Sequence, residues 1–100
     1  MTARGKAARA KGHAYELDVA HWFGVPTTRN YAPGAHIDAG DIVSETHCVD
    51  CKNHARWTVA AWFDHVEQTA EACNRIPALS LKRANRSTGD SLWVVRLRDA

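Results

Sequence analysis

The stretch "GDIVSETHCVDCKN", residues 40–53, decides how this chain is read. Two short apolar runs flank the polar pair Glu45 and Thr46, the pattern of two strands joined by a turn. Centring a hairpin on that pair sets Asp41 opposite Asp50, Ile42 opposite Val49 and Val43 opposite Cys48. Glu-Thr lacks the glycine that two-residue hairpin turns favour, but a loop from Ser44 to His47 keeps the same register.

Within "CVDCKNH", residues 48–54, two chemistries compete. The two cysteines with His47 and His54 suggest zinc, which needs its ligands on one side of a tight knuckle. In a strand, side chains alternate, so Cys48, Asp50 and Lys52 point one way and His47, Val49 and Cys51 the other. The cysteines then cannot share a metal, and the one remaining cysteine, Cys73, falls on a helical core stripe. Alternation instead gathers oxygen ligands. Asp50 and Lys52 share a face, and Asp41 lies across from Asp50 with Cβ atoms about 4.5–5.5 Å apart. Two carboxylates that close repel unless a cation sits between them, and a hard divalent ion suits an oxygen-only pair. The alternative is an ordinary cross-strand acid pair balanced by Lys52.

Upstream, Tyr15, Val19, Trp22 and Phe23 form the stripe of an amphipathic helix that Gly24 and Pro26 stop. Glu16 borders that stripe, either as a solvated residue or as a third carboxylate aimed at the pair. Gly5 and Gly12 weaken the first half, so "MTARGKAARAKG", residues 1–12, reads as a mobile basic arm. "TTRNY" at 27–31 has strand composition, and "APGAH" at 32–36 reads as a loop. Downstream, Thr58 is placed to cap a second helix carrying Val59, Trp62, Phe63, Val66, Ala70 and Cys73 on its core face. Pro77 ends that element, and "ALSLK" and "LWVVRL" finish as strands. The expected fold is α/β, a mixed five-stranded sheet flanked by two helices in the order α-β-β-β-α-β-β.

The chain has 100 residues, enough for one domain over residues 1–100, and its 45% hydrophobic content and four tryptophans fill a core without a staple. Three cysteines and no secretory-type leader point to a reducing, cytoplasmic setting, and no run of 18 apolar residues spans a membrane. The net charge of +2 is unevenly spread. Arg4, Lys6, Arg9 and Lys11 precede the first acid, and Lys82, Arg83, Arg86, Arg96 and Arg98 crowd the C-terminal fifth. Basic ends around an acidic middle suit a polyanion held at the periphery and a cation at the centre, though they also suit plain solvation.

Glu16, then "GD" at 40–41, then "DCK" at 50–52 together resemble the PD-(D/E)XK nuclease superfamily, with its restriction-endonuclease-like core. Within it the chain is most similar to the small archaeal-type Holliday junction resolvases. "KGHAYE" at 11–16 matches their first helix, and Arg29 with "APGAHIDAGD" matches the segment before the metal aspartate. Gly40 replaces the proline of the "PD" element, and Asp50 is one methylene shorter than the glutamate many resolvases use. The resemblance covers nearly the whole chain. It implies an endonuclease of DNA recombination and repair that cuts phosphodiesters to 5′-phosphate and 3′-hydroxyl ends. Glu16, Asp41, Asp50 and the Cys51 backbone carbonyl would hold Mg²⁺, with Mn²⁺ able to substitute, and Lys52 would orient the attacking water. Branched or duplex DNA is the expected partner, met by Arg4, Lys6, Arg9, Lys11, Arg29, Lys82, Arg83 and Arg86. A homodimer with two-fold symmetry suits a two-fold junction, and no small-molecule cofactor or membrane is implied. A phage or mobile element would suit so short a chain, acting in the host cytoplasm.

Asp38 and Gln68 are candidates for supporting the site, with loop capping the alternative for Asp38. His13 lies one turn before Glu16 and either assists there or stays on the surface. Trp62 falls on the core stripe, while Trp57 and Trp93 are open to a stacking role. Two rivals remain: another nuclease on the same core, such as a nickase or a flap, single-strand or restriction-like enzyme, and a catalytically silent DNA-binding module.

Overall fold

A computed structural model describes residues 3–24 and 41–100, the side chains of residues 3, 4, 7–9 and 41 excepted. The chain runs α1 (Ala3–Phe23), β1 (Asp41–Val43), β2 (His47–Lys52), α2 (Val59–Cys73), β3 (Ile76–Leu81) and β4 (Leu92–Val94), with short 3-10 turns at Thr88–Asp90 and Leu97–Asp99. Among the described residues the sheet has four strands, in the order β1-β2-β3-β4, rather than five. The strand and loop expected at 27–36 lie outside the described residues, as do Arg29 and Asp38.

The hairpin has the expected register, Asp41 with Asp50, Ile42 with Val49 and Val43 with Cys48. Its turn is built on Ser44. The Ser44 N–H donates to the His47 carbonyl at 2.9 Å, and the Ser44 hydroxyl accepts from the His47 N–H at 3.0 Å. The Ser44 carbonyl accepts instead from the Arg75 side chain at 3.1 Å, which ties the hairpin to the end of α2. β2 pairs in parallel with β3 through the α2 crossover, and β3 pairs antiparallel with β4.

Alternation along β2 divides the core. Val49 and Cys51, with Ile42 and Ala78, pack under Tyr15, Val19 and Ala20 of α1. Cys48, with Val43, Leu79 and Leu81, packs under Val66 and Ala70 of α2. The two cysteines of "CVDC" are therefore buried on opposite faces, as alternation requires, and that geometry excludes a shared metal.

Four details depart from the sequence expectation. The helix begins at Ala3, so the basic arm is its first half; alanines, lysines and arginines outweigh two glycines costing about 1 kcal/mol each. Trp22 and Phe23 stay 66% and 45% exposed, because they border a cleft of about 400 Å³, where the Phe23 ring meets Trp93 of β4 at 5.4 Å. Thr58 precedes α2 without a side-chain capping bond. At the other end, left-handed Asn74 closes α2, with the Arg75 N–H on the Ala70 carbonyl at 2.9 Å, before Pro77 is reached. Pro77 sits inside β3 without loss, because the neighbouring Ile76 N–H points to β2 and the β4 ladder begins only at Leu79.

Candidate active site

The site is built on the last turn of alternation in β2. Ile42 and Val49 share the hydrogen-bonded position of the hairpin, as the Ser44–His47 bond two residues on requires, so Asp41 and Asp50 occupy a non-hydrogen-bonded pair. Such pairs bring Cα atoms to about 4.5 Å and side chains closest together. The same alternation turns the Cys51 carbonyl toward β1, beside the Asp41–Asp50 position. Asp50 is buried, with 4% exposure, and its Oδ2 lies 3.4 Å from the Lys52 Nζ. The Lys52 ammonium in turn lies 5.6 Å from the centre of the Trp62 ring. The donors are oxygens with one adjacent cation, a set that fits a hard divalent ion and not a thiophilic one.

Glu16 is buried too, with its Oε2 3.8 Å from the Nδ1 of His13, so it is not a solvated helix residue. It belongs to α1, however, which covers the face opposite to Asp50 and Lys52. Among the described residues no three acidic, histidine or cysteine side chains come together tightly enough to hold an ion. Beside Glu16, the Tyr15 hydroxyl and the Ser80 hydroxyl share a buried 2.6 Å hydrogen bond. Burial raises the Tyr15 phenol above its usual pKa, and the bond to Ser80 works against that rise.

The basic candidates divide. Lys6, Lys11 and Arg86 are exposed and Arg83 is half-buried. The Lys82 Nζ donates to the carbonyls of Arg83 and Arg86 and so braces its own turn. That turn leaves the sheet beside the site, because the Lys82 N–H donates to the Lys52 carbonyl at 2.9 Å. The side chains of Arg4 and Arg9 are outside the described residues, and Gln68 is exposed on α2. Trp57 is 38% exposed and donates from Nε1 to the His54 carbonyl at 3.1 Å, and Trp93 is 42% exposed. The neighbour that sequence reasoning missed is Trp62. A helix that follows a strand in a crossover starts over that strand's end, which is the signal that would have found it.

Residues 7–98 match a protein family described as "Phage putative PDDEXK endonuclease". The chain belongs to this PDDEXK family. No curated protein and no solved structure matches it. Membership places the chain in the PD-(D/E)XK superfamily and does not extend to the archaeal-type resolvase subtype. The PDDEXK match spans most of α1, the hairpin, α2 and both later strands, so Glu16, Asp41, Asp50 and Lys52 all fall inside it. Among the described residues, no helix of this PDDEXK protein is long and apolar enough to cross a membrane.

Proposed function

We propose that the protein is a divalent-metal-dependent DNA endonuclease of the Holliday junction resolvase type, working as a homodimer inside a phage-infected cell. The observation that carries this is the cross-strand pairing of Asp41 with Asp50, with the Lys52 ammonium 3.4 Å from Asp50. Asp41, Asp50 and the Cys51 carbonyl would hold the ion, without the Glu16 expected from the resemblance, since α1 carries that carboxylate over the other face of the sheet. A Mg²⁺ ion bound there supplies Lewis-acid polarisation of a phosphodiester. Lys52 orients the attacking water and offsets the charge that develops on the phosphate. The exposed Lys6, Lys11 and Arg86, together with Arg83, hold backbone phosphates, which favours recognition of DNA shape over base sequence.

The test is cleavage of an end-labelled four-way junction and a matched linear duplex with Mg²⁺, with Mn²⁺ and with EDTA. Paired symmetric nicks in the junction alone, abolished by EDTA, are the expected result. Cutting of both substrates keeps the residues in their roles and makes the enzyme a general nuclease. Tight binding with no cutting under any condition sinks the catalytic proposal in favour of a DNA-binding module.

A further inference from the structure

Lys52 ends β2, and a lysine carries its charge on a flexible four-carbon stem. Left to itself, that stem would spread the ammonium over many rotamers, and fixing it costs entropy. Two contacts limit the spread. One is the Asp50 carboxylate at 3.4 Å, and the other is the ring of Trp62, whose centre lies 5.6 Å from the Nζ. Cation–ring attraction operates within about 6 Å, because the ring face carries negative quadrupole density.

The ring is itself held in place. Trp62 lies in the first turn of α2, and its backbone N–H donates to the Thr58 carbonyl at 3.1 Å. The His54 ring packs against it at 5.1 Å between centroids and 48° between planes. On the inner side it rests against the cluster that includes Val66 and Leu81. Trp57 fixes the intervening loop through its bond to the His54 carbonyl. A residue needed only to fill the core would have no reason to present an aromatic face to the Lys52 ammonium beside Asp50. Leucine would cover the same apolar cluster.

The geometry points to Trp62 as a positioning residue: its indole holds the Lys52 ammonium beside Asp50, so that the charge meets the phosphate instead of swinging into solvent. This rests on the nuclease reading above. Trp62 acts through Lys52 and touches neither DNA nor ion in this role.

Two measurements test it on the full chain. In the first, Trp62→Phe, Trp62→Tyr and Trp62→Leu are compared with the wild type for kcat and KM on the DNA substrate with Mg²⁺. The aromatic variants keep kcat within about threefold, and Trp62→Leu loses roughly tenfold in kcat with KM unchanged. In the second, thermal midpoints of Lys52→Met, Trp62→Leu and the double variant form a cycle, and the losses are smaller together than their sum. If Trp62→Leu cuts as fast as Trp62→Phe, or if the midpoint losses add, the ring is packing alone and the proposal is overturned. A wild type that cuts no DNA overturns the nuclease reading and the positioning role together. A wild type that cuts while the cycle shows no coupling overturns only the role of Trp62.

Discussion

Replacing Asp50 with asparagine separates the fold from the ion. The mutation removes the charge of one of two acids paired across a non-hydrogen-bonded position of the hairpin. At about 5 Å and an effective dielectric near 20 their repulsion is about 3 kcal/mol, and losing it stabilises the metal-free chain. The same change removes the attraction to Lys52 at 3.4 Å, which is of similar raw size and is reduced by solvent around a side chain 25% exposed. The two terms oppose each other, so metal-free stability changes by no more than ~1 kcal/mol. With the wild type, Mg²⁺ at ten times its Kd adds about 1.4 kcal/mol, which raises the midpoint of a domain this size by about 6–11 °C. In Asp50→Asn that rise disappears while the metal-free midpoint barely moves. The assay is a thermal melt of both proteins with EDTA, Mg²⁺ and Mn²⁺. A variant that keeps the full Mg²⁺-dependent rise, or a wild type that responds to neither ion, refutes the assignment of Asp50 as a ligand.

Lys52→Met keeps the stem against Trp62 and deletes the charge, so kcat falls by about 10²–10³ while DNA affinity stays nearly constant; a loss below threefold removes Lys52 from the reaction. Tyr15→Phe tests the buried phenol, whose folded pKa lies above its unfolded value near 10 because of burial. Its contribution is complete below about pH 10 and is lost as pH rises from there toward the folded pKa, since the unfolded state gives up its proton first. The variant therefore has a shallower fall of midpoint above about pH 10, and about 1 kcal/mol less stability at neutral pH for the lost bond to Ser80. Equal alkaline slopes in the two proteins contradict this.

The hairpin was legible because its side-chain period is two: a slip of one residue would have turned Val43, Cys48 and Val49 each toward the wrong helix and undone the packing of both clusters. The stripe of α2 was legible for the same kind of reason, with Val66 and Ala70 buried on the face the spacing marks. What escaped was set by neighbours distant in sequence. Trp22 and Phe23 continue the helical stripe of Tyr15 and Val19, but whether a sheet lies beneath them depends on how α1 crosses it. Glu16 borders the stripe in helical projection, and its burial is decided by α1 packing along that side. Pro77 reads as a breaker until the pairing shows that its missing N–H falls on the side where no ladder bond is needed. Trp62 reads as core from its spacing, and only the placement of α2 over the end of β2 reveals that its outer face meets Lys52.

A strand covered on both sides by helices normally runs apolar along its length, and β2 does so through Cys48 and Val49. Asp50 breaks the pattern at 4% exposure, where an ionised carboxylate costs several kcal/mol unless it is compensated. Compensation by Lys52 alone would make Asp50 an ordinary structural ion pair, and one acid would suffice for it. The register supplies two, because Asp41 lies across from Asp50. The Lys52 ammonium at 3.4 Å balances one carboxylate, and a second acid at the paired position adds repulsion to it. A divalent cation between them would reverse that balance, turning the repulsion into coordination. Two acids at one pair of positions are thus the ground on which the proposed metal site rests.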